Sequence, residues 1–228
     1  MIYNSLDELK NMSDEFWHTP AQILTVKNKT HAEFLGRPTD KVDSVEFGEK
    51  IAAKLIATLN YINRFKRKGV ALTANQIGIP ASVFVIILDR VLYFINPDII
   101  DMSAHKVFFD ERCLSIPGKS CRVLRHLNIK IKADNFPDAL SFGISGPEYM
   151  QSEFDKMFEA IAIQHEFSHT MGLLMSDLED KPVPIKNEIK IGRNEKVKIY
   201  KDGVGTDTIK YKYFPEYEKK GWVLANNG

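Results

Sequence analysis

The sequence predicts an α+β fold: antiparallel β-sheets packed around a central helix carrying His-Glu-x-x-His, with a small β-rich appendage at the C-terminal end. Three observations predict it. Two long stretches carry helical periodicity, one from about Asp43 and one from about Ser152 to Gly172. Between them lie short runs of β-branched and aromatic residues separated by turn residues, Val83–Leu88 and Val91–Ile95 being the clearest. After Pro184 the composition shifts to lysine-rich alternation. Two regions are expected, 1–182 and 183–228.

Composition narrows the functional classes. A chain of 228 residues with 44% hydrophobic content can bury one sizeable core and carry an appendage. Its formal net charge of +1 supplies no basic field, so no direct nucleic-acid readout is expected. No apolar run is long enough to predict a membrane span. The polar, acidic start Met1–Lys10 is unlike a signal or transit peptide. Two cysteines, Cys113 and Cys121, make no disulfide framework, so a reducing cytoplasm is the expected location.

The elements follow in order. Residues 1–42 are polar and interrupted by proline, with one short strand expected at Ile23–Val26. Asp43 with Glu46 three positions on resembles a capping box, and Ile51, Leu55, Leu59 and Ile62 then form one apolar helical stripe. Arg64, Lys66, Arg67 and Lys68 crowd its expected last turn, with Gly69 as the stop. Small residues between glycines, Gly69–Pro80, permit close approach of backbone to a ligand but lack the form of a phosphate loop. Asp89-Arg90 joins the next two strands as a hairpin, which Asn96-Pro97 ends. Lys106–Phe109 reads as a strand, and Ile129–Ala133 alternates as a half-exposed one does. Residues 134–150 are turn-rich, and Ser152 is the expected cap of the second long helix. In the tail, strands are expected at Ile189–Ile191, Lys196–Tyr200, Thr208–Tyr213 and Trp222–Leu224, turned by Asp202-Gly203 and Gly205.

The chemistry is concentrated in Gln164-His-Glu-Phe-Ser-His169. On a helix, positions i and i+4 share a face, so His165 and His169 can offer two imidazoles to one metal ion while Glu166 leans toward a water. Phe154, Phe158, Ile161 and Ile163 make the preceding turns apolar, which puts these polar groups at a core or a cleft. A catalytic metal wants a third protein ligand and an open position. No histidine follows His169, and Met175 stands where a metzincin places its third histidine. Glu188 downstream and Cys113 upstream remain as candidates from the residues alone.

Three stretches together resemble the peptide deformylase family. That family carries a Gly-x-Gly-Leu-Ala-Ala-x-Gln-x-Gly loop, a Glu-Gly-Cys-Leu-Ser segment and a Gln-His-Glu-x-x-His helix in this order. Here they read Gly69-Val-Ala-Leu-Thr-Ala-Asn-Gln-Ile-Gly78, Glu111-Arg-Cys-Leu-Ser115 and Gln164-His-Glu-Phe-Ser-His169, within roughly residues 20–182. The departures are Ala71 for the second loop glycine, Thr73 for an alanine, Arg112 for the glycine before the cysteine, and Ser168 for the aspartate before the second histidine.

The resemblance implies a hydrolase that removes the formyl group from the N-terminal formyl-methionine of new polypeptides and releases formate. It implies Cys113, His165 and His169 as ligands of one divalent transition metal, with Glu166 as acid and base. Family precedent favours Fe(II) with zinc often recovered; nickel and cobalt also suit a thiolate and two imidazoles. Gln76, through its side-chain amide, and Leu114, through its backbone N–H, are the implied oxyanion donors. Val70, Ala71, Arg112, Ile161 and Ala162 are the implied substrate contacts. The expected partners are formyl-methionyl nascent peptides, with the ribosome as a further candidate. Two rival readings use the same residues: a zinc endopeptidase of another class, and a non-catalytic relative that binds nascent chains or the ribosome through its basic tail.

Overall fold

The structure, a computed structural model, describes residues 1–65, 69–144, 151–179, 194, 196–201, 205–220 and 222–224. The chain divides into two compact units, Met1–Val183 and Pro184–Gly228.

In the first unit, α1 (Asp14–His18) and α2 (Lys29–Leu35) begin at side-chain caps, Ser13 accepting from the Phe16 N–H and Asn28 from the His31 N–H. Neither helix was expected from the sequence, because each is too short to show a periodic stripe. The strand expected at Ile23–Val26 is absent. That stretch is extended but tied by single bonds, Leu24 N–H to Gln76 O at 2.8 Å and Val26 N–H to Ser115 O at 3.0 Å, and so forms no ladder.

The long helix α3 (Val45–Arg64) is capped by Ser44, one residue past the expected Asp43, with Phe47 N–H donating to the Ser44 hydroxyl at 3.2 Å. Its stripe of Ile51, Leu55 and Leu59 is fully buried. Gly69 does not stop it: the helix ends at Arg64, and Gly69 is held apart by a two-bond clasp to the Asn63 amide. Residues 66–68 of the basic cluster lie outside the described residues.

Strands β1 (Ala71–Thr73), β2 (Val83–Ile87) and β3 (Val91–Ile95) form an antiparallel sheet in that order, β2 and β3 joined as the expected hairpin. Alternation in β2 explains why its sequence is apolar throughout. Val83 and Val85 pack with the α3 stripe, while Phe84 and Ile86 face the opposite way. There they meet Ala160, Ile163 and Phe167 of α4 (Gln151–Thr170). The sheet is covered on both faces, so neither set of side chains reaches water. Asn96 turns the chain out of β3 at φ 50°, held by its side chain's bonds with the Val42 backbone and Asp134.

A second antiparallel sheet runs β4 (Asp98–Met102), β7 (Asn128–Lys132), β8 (Leu140–Gly143), in the order β4-β7-β8, with Ile129 and Ile131 inward and Lys130 and Lys132 outward. The sequence carries no strand signal at β4, whose two aspartates dilute the pattern. Strand β5 extends from Lys106 past the expected Phe109 to Arg112 and pairs with β6 (Ser120–His126), Glu111 opposite Cys121.

Helix α4 runs through the middle of this unit and touches β1, β2, β6, β7 and β8. Every residue from Ala160 to Thr170 is buried, polar ones included. Gly172 ends it at φ +72°, its N–H bonded to His169 O at 3.0 Å, while Thr39 N–H takes the Thr170 carbonyl at 2.9 Å. Of the turn-rich stretch expected at 134–150, Leu140–Gly143 forms strand β8 instead, and 145–150 lie outside the described residues, as does the Ser152 side chain.

The second unit is a three-stranded antiparallel sheet in the order β10-β9-β11, formed by β9 (Lys196–Lys201), β10 (Gly205–Lys210) and β11 (Val223–Leu224), with the short helix α5 (Phe214–Glu218). Ile199 and Phe214 are its buried apolar residues among those described. Tyr211–Tyr213 forms a helical turn rather than the end of a strand. The strand expected at Ile189–Ile191 and the turn at Asp202-Gly203 lie outside the described residues. Among the described residues no helix is long and apolar enough to cross a membrane.

Candidate active site

Three segments meet on one face of α4. The helix contributes His165, Glu166 and His169; the end of β5 and the residue just past it contribute Glu111 and Cys113; the turn after β1 contributes Gln76. One ligand atom from each of Cys113, His165 and His169 lies within 4.8 Å of the other two, and all three residues are buried. Cys113 Sγ and His169 Nε2 are 3.3 Å apart. Two donors sharing one tetrahedral ion at typical bond lengths would stand ~3.6 Å apart. One thiol and two imidazoles at that spacing fit a transition ion.

The histidines are aimed by what lies behind them. His165 Nδ1 meets Glu111 Oε2 at 2.7 Å, which directs Nε2 toward Cys113. Glu111 is gripped by Arg125, Nε to Oε1 at 2.5 Å and Nη2 to Oε2 at 2.9 Å, a planar two-bond pairing. Arg125 is fully buried, and its Nη1 also donates to the Ser168 hydroxyl at 3.0 Å. Ser168, the departure from the family's aspartate, therefore still accepts a guanidinium N–H, and donates its own O–H to Gln164 O at 2.7 Å. Gln164 in turn clasps the His126 backbone with bonds of 3.0 and 2.8 Å, fastening α4 to β6. Among the described residues His169 Nδ1 is buried without a protein partner, although its backbone carbonyl accepts from Asn75 at 2.8 Å.

Burial would raise the Glu111 carboxyl, but bonds from Arg125 and His165 overcome this and hold its pKa at about 2. Burial likewise opposes ionisation of Cys113, yet the His169 and His165 imidazoles pull the thiol well below its ordinary value, toward the thiolate that binds metals. Burial lowers His165, and Cys113 and Glu111 beside it reverse that and raise it well above the usual imidazole range. Glu166 is raised, chiefly by burial, against the opposing pull of the two histidines and Thr73.

Gln76 is fixed by both ends of its amide. Its Oε1 accepts from Thr73 N–H at 2.9 Å, and its Nε2 points at Cys113 Sγ (3.4 Å) and Ser115 Oγ (3.1 Å). Among the described residues the Leu114 N–H meets no acceptor. Leu114 itself closes over Gly69, where a Cβ would lie 2.9 Å from its Cδ1. A cleft of about 740 Å³ opens over this cluster. Val70, Ala71, Arg112, Ile161 and Ala162, the contacts the family resemblance implies, all line it, together with Gln76, Cys113, Leu114, His165 and Glu166. Arg112 is exposed at its rim. Glu188 lies outside the described residues.

Arg125 and the part played by Glu111 escaped the sequence. Arg125 is an unremarked residue in a half-exposed strand until the β5–β6 register brings it across from the ligand segment.

The polypeptide deformylase family model matches residues 20–183. The chain belongs to the polypeptide deformylase family. Peptide deformylases remove the formyl group from newly made peptides with the help of a metal ion, so the chain is a metal-dependent hydrolase by kinship. It is 33% identical over 153 residues to the peptide deformylase of Aquifex aeolicus (strain VF5), spanning 64% of this chain and 81% of that one. It is 30% identical over 175 residues to that of Pseudothermotoga lettingae, spanning 76% of this chain and 93% of that one. The crystal structure of the Thermotoga maritima deformylase aligns with a TM-score of 0.56 and 25% identity, over 73% of this chain and all of that one (100%). The α+β class read from the sequence agrees with these neighbours.

Proposed function

We propose that residues 1–182 form a catalytic domain that deformylates the formyl-methionyl start of nascent peptides, with Cys113, His165 and His169 holding one Fe(II) ion. The observation that carries this reading is the convergence of those three donors within 4.8 Å, with Glu166 beside them on the same helix. When bound, such an ion supplies Lewis acidity that makes water reactive near neutral pH.

The remaining work falls to side chains and backbone. Glu166 takes a proton from the attacking water and returns it to the leaving amine, a role helped by burial that raises its affinity for the proton. The Gln76 amide and the Leu114 N–H stand at the same cleft as donors for the developing oxyanion. Strand β1 is an edge of its sheet, so a peptide laid beside Ala71 can use its free backbone groups. Ile161, Ala162 and Val70 offer apolar surface to the methionine side chain. A non-catalytic binder has no chemical need for this set. The assignment extends to a cytoplasmic location and to residues 183–228 as a lysine-rich appendage, with the ribosome as its candidate partner.

The test is formate release from a formyl-Met peptide by anaerobically purified protein, with metal content measured alongside. One ion per chain and turnover are expected. Cys113→Ala should lose the metal, whereas Glu166→Ala should keep it and lose about 10²–10⁴-fold in rate. Metal-free active protein, or metal loss in Glu166→Ala equal to that in His165→Ala, would overturn these roles.

A further inference from the structure

We propose that Thr73 is a positioning residue that holds the Glu166 carboxylate in register with its substrate, an inference resting on the reading of Glu166 as the acid/base group. The two residues are 93 positions apart, yet Thr73 Oγ1 donates to Glu166 Oε2 at 2.6 Å, the length of a hydroxyl-to-carboxylate bond. Both are buried, at 0% and 3% exposure. Among the described residues, no other donor reaches that carboxylate.

Glu166 needs such a restraint. Helix α4 fixes its backbone, but its side-chain torsions still separate Cα from the carboxylate, and each has several staggered wells. A carboxylate that wanders by an ångström loses much of the advantage of being placed at all. Threonine is suited to the task because its branched Cβ leaves χ1 few choices. Its own backbone is pinned too. Thr73 lies opposite Phe84 in the β1–β2 ladder, and its N–H is bonded to Gln76 Oε1. One residue therefore aims two groups: its N–H turns the Gln76 amide so that Nε2 faces Cys113, and its hydroxyl ties one oxygen of Glu166, leaving the other for the proton.

The backbone half of that arrangement needs no particular side chain. The hydroxyl half does, and it belongs to this chain, since the family's loop carries alanine at this place. The contact also links β1, which lines the cleft through the neighbouring Ala71, to the helix that carries both histidines.

Three variants test it, assayed as full chains with bound metal. Thr73→Val keeps the branched shape and deletes the hydroxyl; kcat on a formyl-Met peptide should fall about tenfold or more with KM within about twofold. Thr73→Ser should restore most of the rate. Thr73→Ala should fall between, because its smaller side chain leaves room for a water in place of the hydroxyl. Metal content should match wild type in all three, and Thr73→Ala carries the comparison if Thr73→Val does not fold. Independently of turnover, the infrared difference between Thr73→Val, or Thr73→Ala, and wild type should show a shifted carboxylate stretch that disappears in a Glu166→Gln background. Wild-type kcat in the hydroxyl-free variants, a loss that Thr73→Ser does not restore, or an unshifted carboxylate band would overturn the proposal. Absence of formate release from the wild type would instead overturn the catalytic reading, and the infrared comparison would still decide whether Thr73 holds Glu166.

Discussion

At the scale of single residues, the departures from the family's motifs fall into two kinds. Ser168 and Thr73 are buried and bonded, to Arg125 and to Glu166 respectively, so each is built into the machinery behind the cleft. Arg112 is exposed at the rim of the cleft, next to Cys113. Its guanidinium can pair with a carboxylate on the peptide beyond the methionine. Arg112→Gly should therefore raise KM for short acidic formyl-peptides and leave kcat unchanged, the mark of binding lost equally from ground and transition states. Added salt should shrink the difference, because the rim is hydrated. Equal kinetics of the two proteins on acidic and neutral peptides at low salt would return Arg112 to the solvated surface.

At the scale of elements, α4 sets the geometry of the site by where it stops as well as where it lies. Gly172 turns the chain at φ +72°, and a Cβ there would stand 2.6 Å from the Arg37 carbonyl carbon and 2.7 Å from Gly36 O. Those contacts are backbone, which cannot swing aside. Gly172→Ala should cost about 2–4 kcal/mol from the left-handed conformation and the forced shift together. For a chain of this length that lowers Tm by roughly 5–15 °C. Thermal melts of both proteins at equal metal content measure it, and an unchanged Tm would show that segment 36–38 yields freely. The helix lacks the one-sided pattern of a surface helix because sheets and the β5–β6 hairpin surround it. His165, Glu166 and Gln164 are polar groups inside that enclosure, and each finds a partner on a different strand: Glu111 of β5, Thr73 of β1 and His126 of β6.

At the scale of the whole molecule, the two compact units differ in what they carry. Every group assigned to the cleft belongs to the first, and the family match ends at residue 183. The second pairs Lys196 with Lys210 across neighbouring strands, a like-charge pairing that costs stability unless water or an anionic partner relieves it. A chain ending at residue 183 should fold and keep most of its turnover on a short formyl-peptide. Loss of most of the activity in a soluble, folded truncation would make residues 184–228 part of the site.

The sequence by itself determined what is local. His165, Glu166 and His169 are placed on one helix by i and i+4 spacing, the β2–β3 hairpin by its turn residues, and the α3 stripe by its period, because each depends only on dihedral preferences and on which side of an element a residue faces. It also carried enough of three motifs to reveal the family. It missed short or polar elements such as α1, α2, β4 and β8, which leave no periodic trace, and it put a strand at Ile23–Val26 where only single tethers form. The tertiary structure alone decided which distant groups meet. Nothing local in Arg125 or Thr73 says that one grips Glu111 and the other bonds Glu166. Those pairings arise because strand register and helix burial bring 111 to 125 and 73 to 166, and because a charge taken out of water must find an opposite charge or a hydrogen bond wherever the packing leaves it.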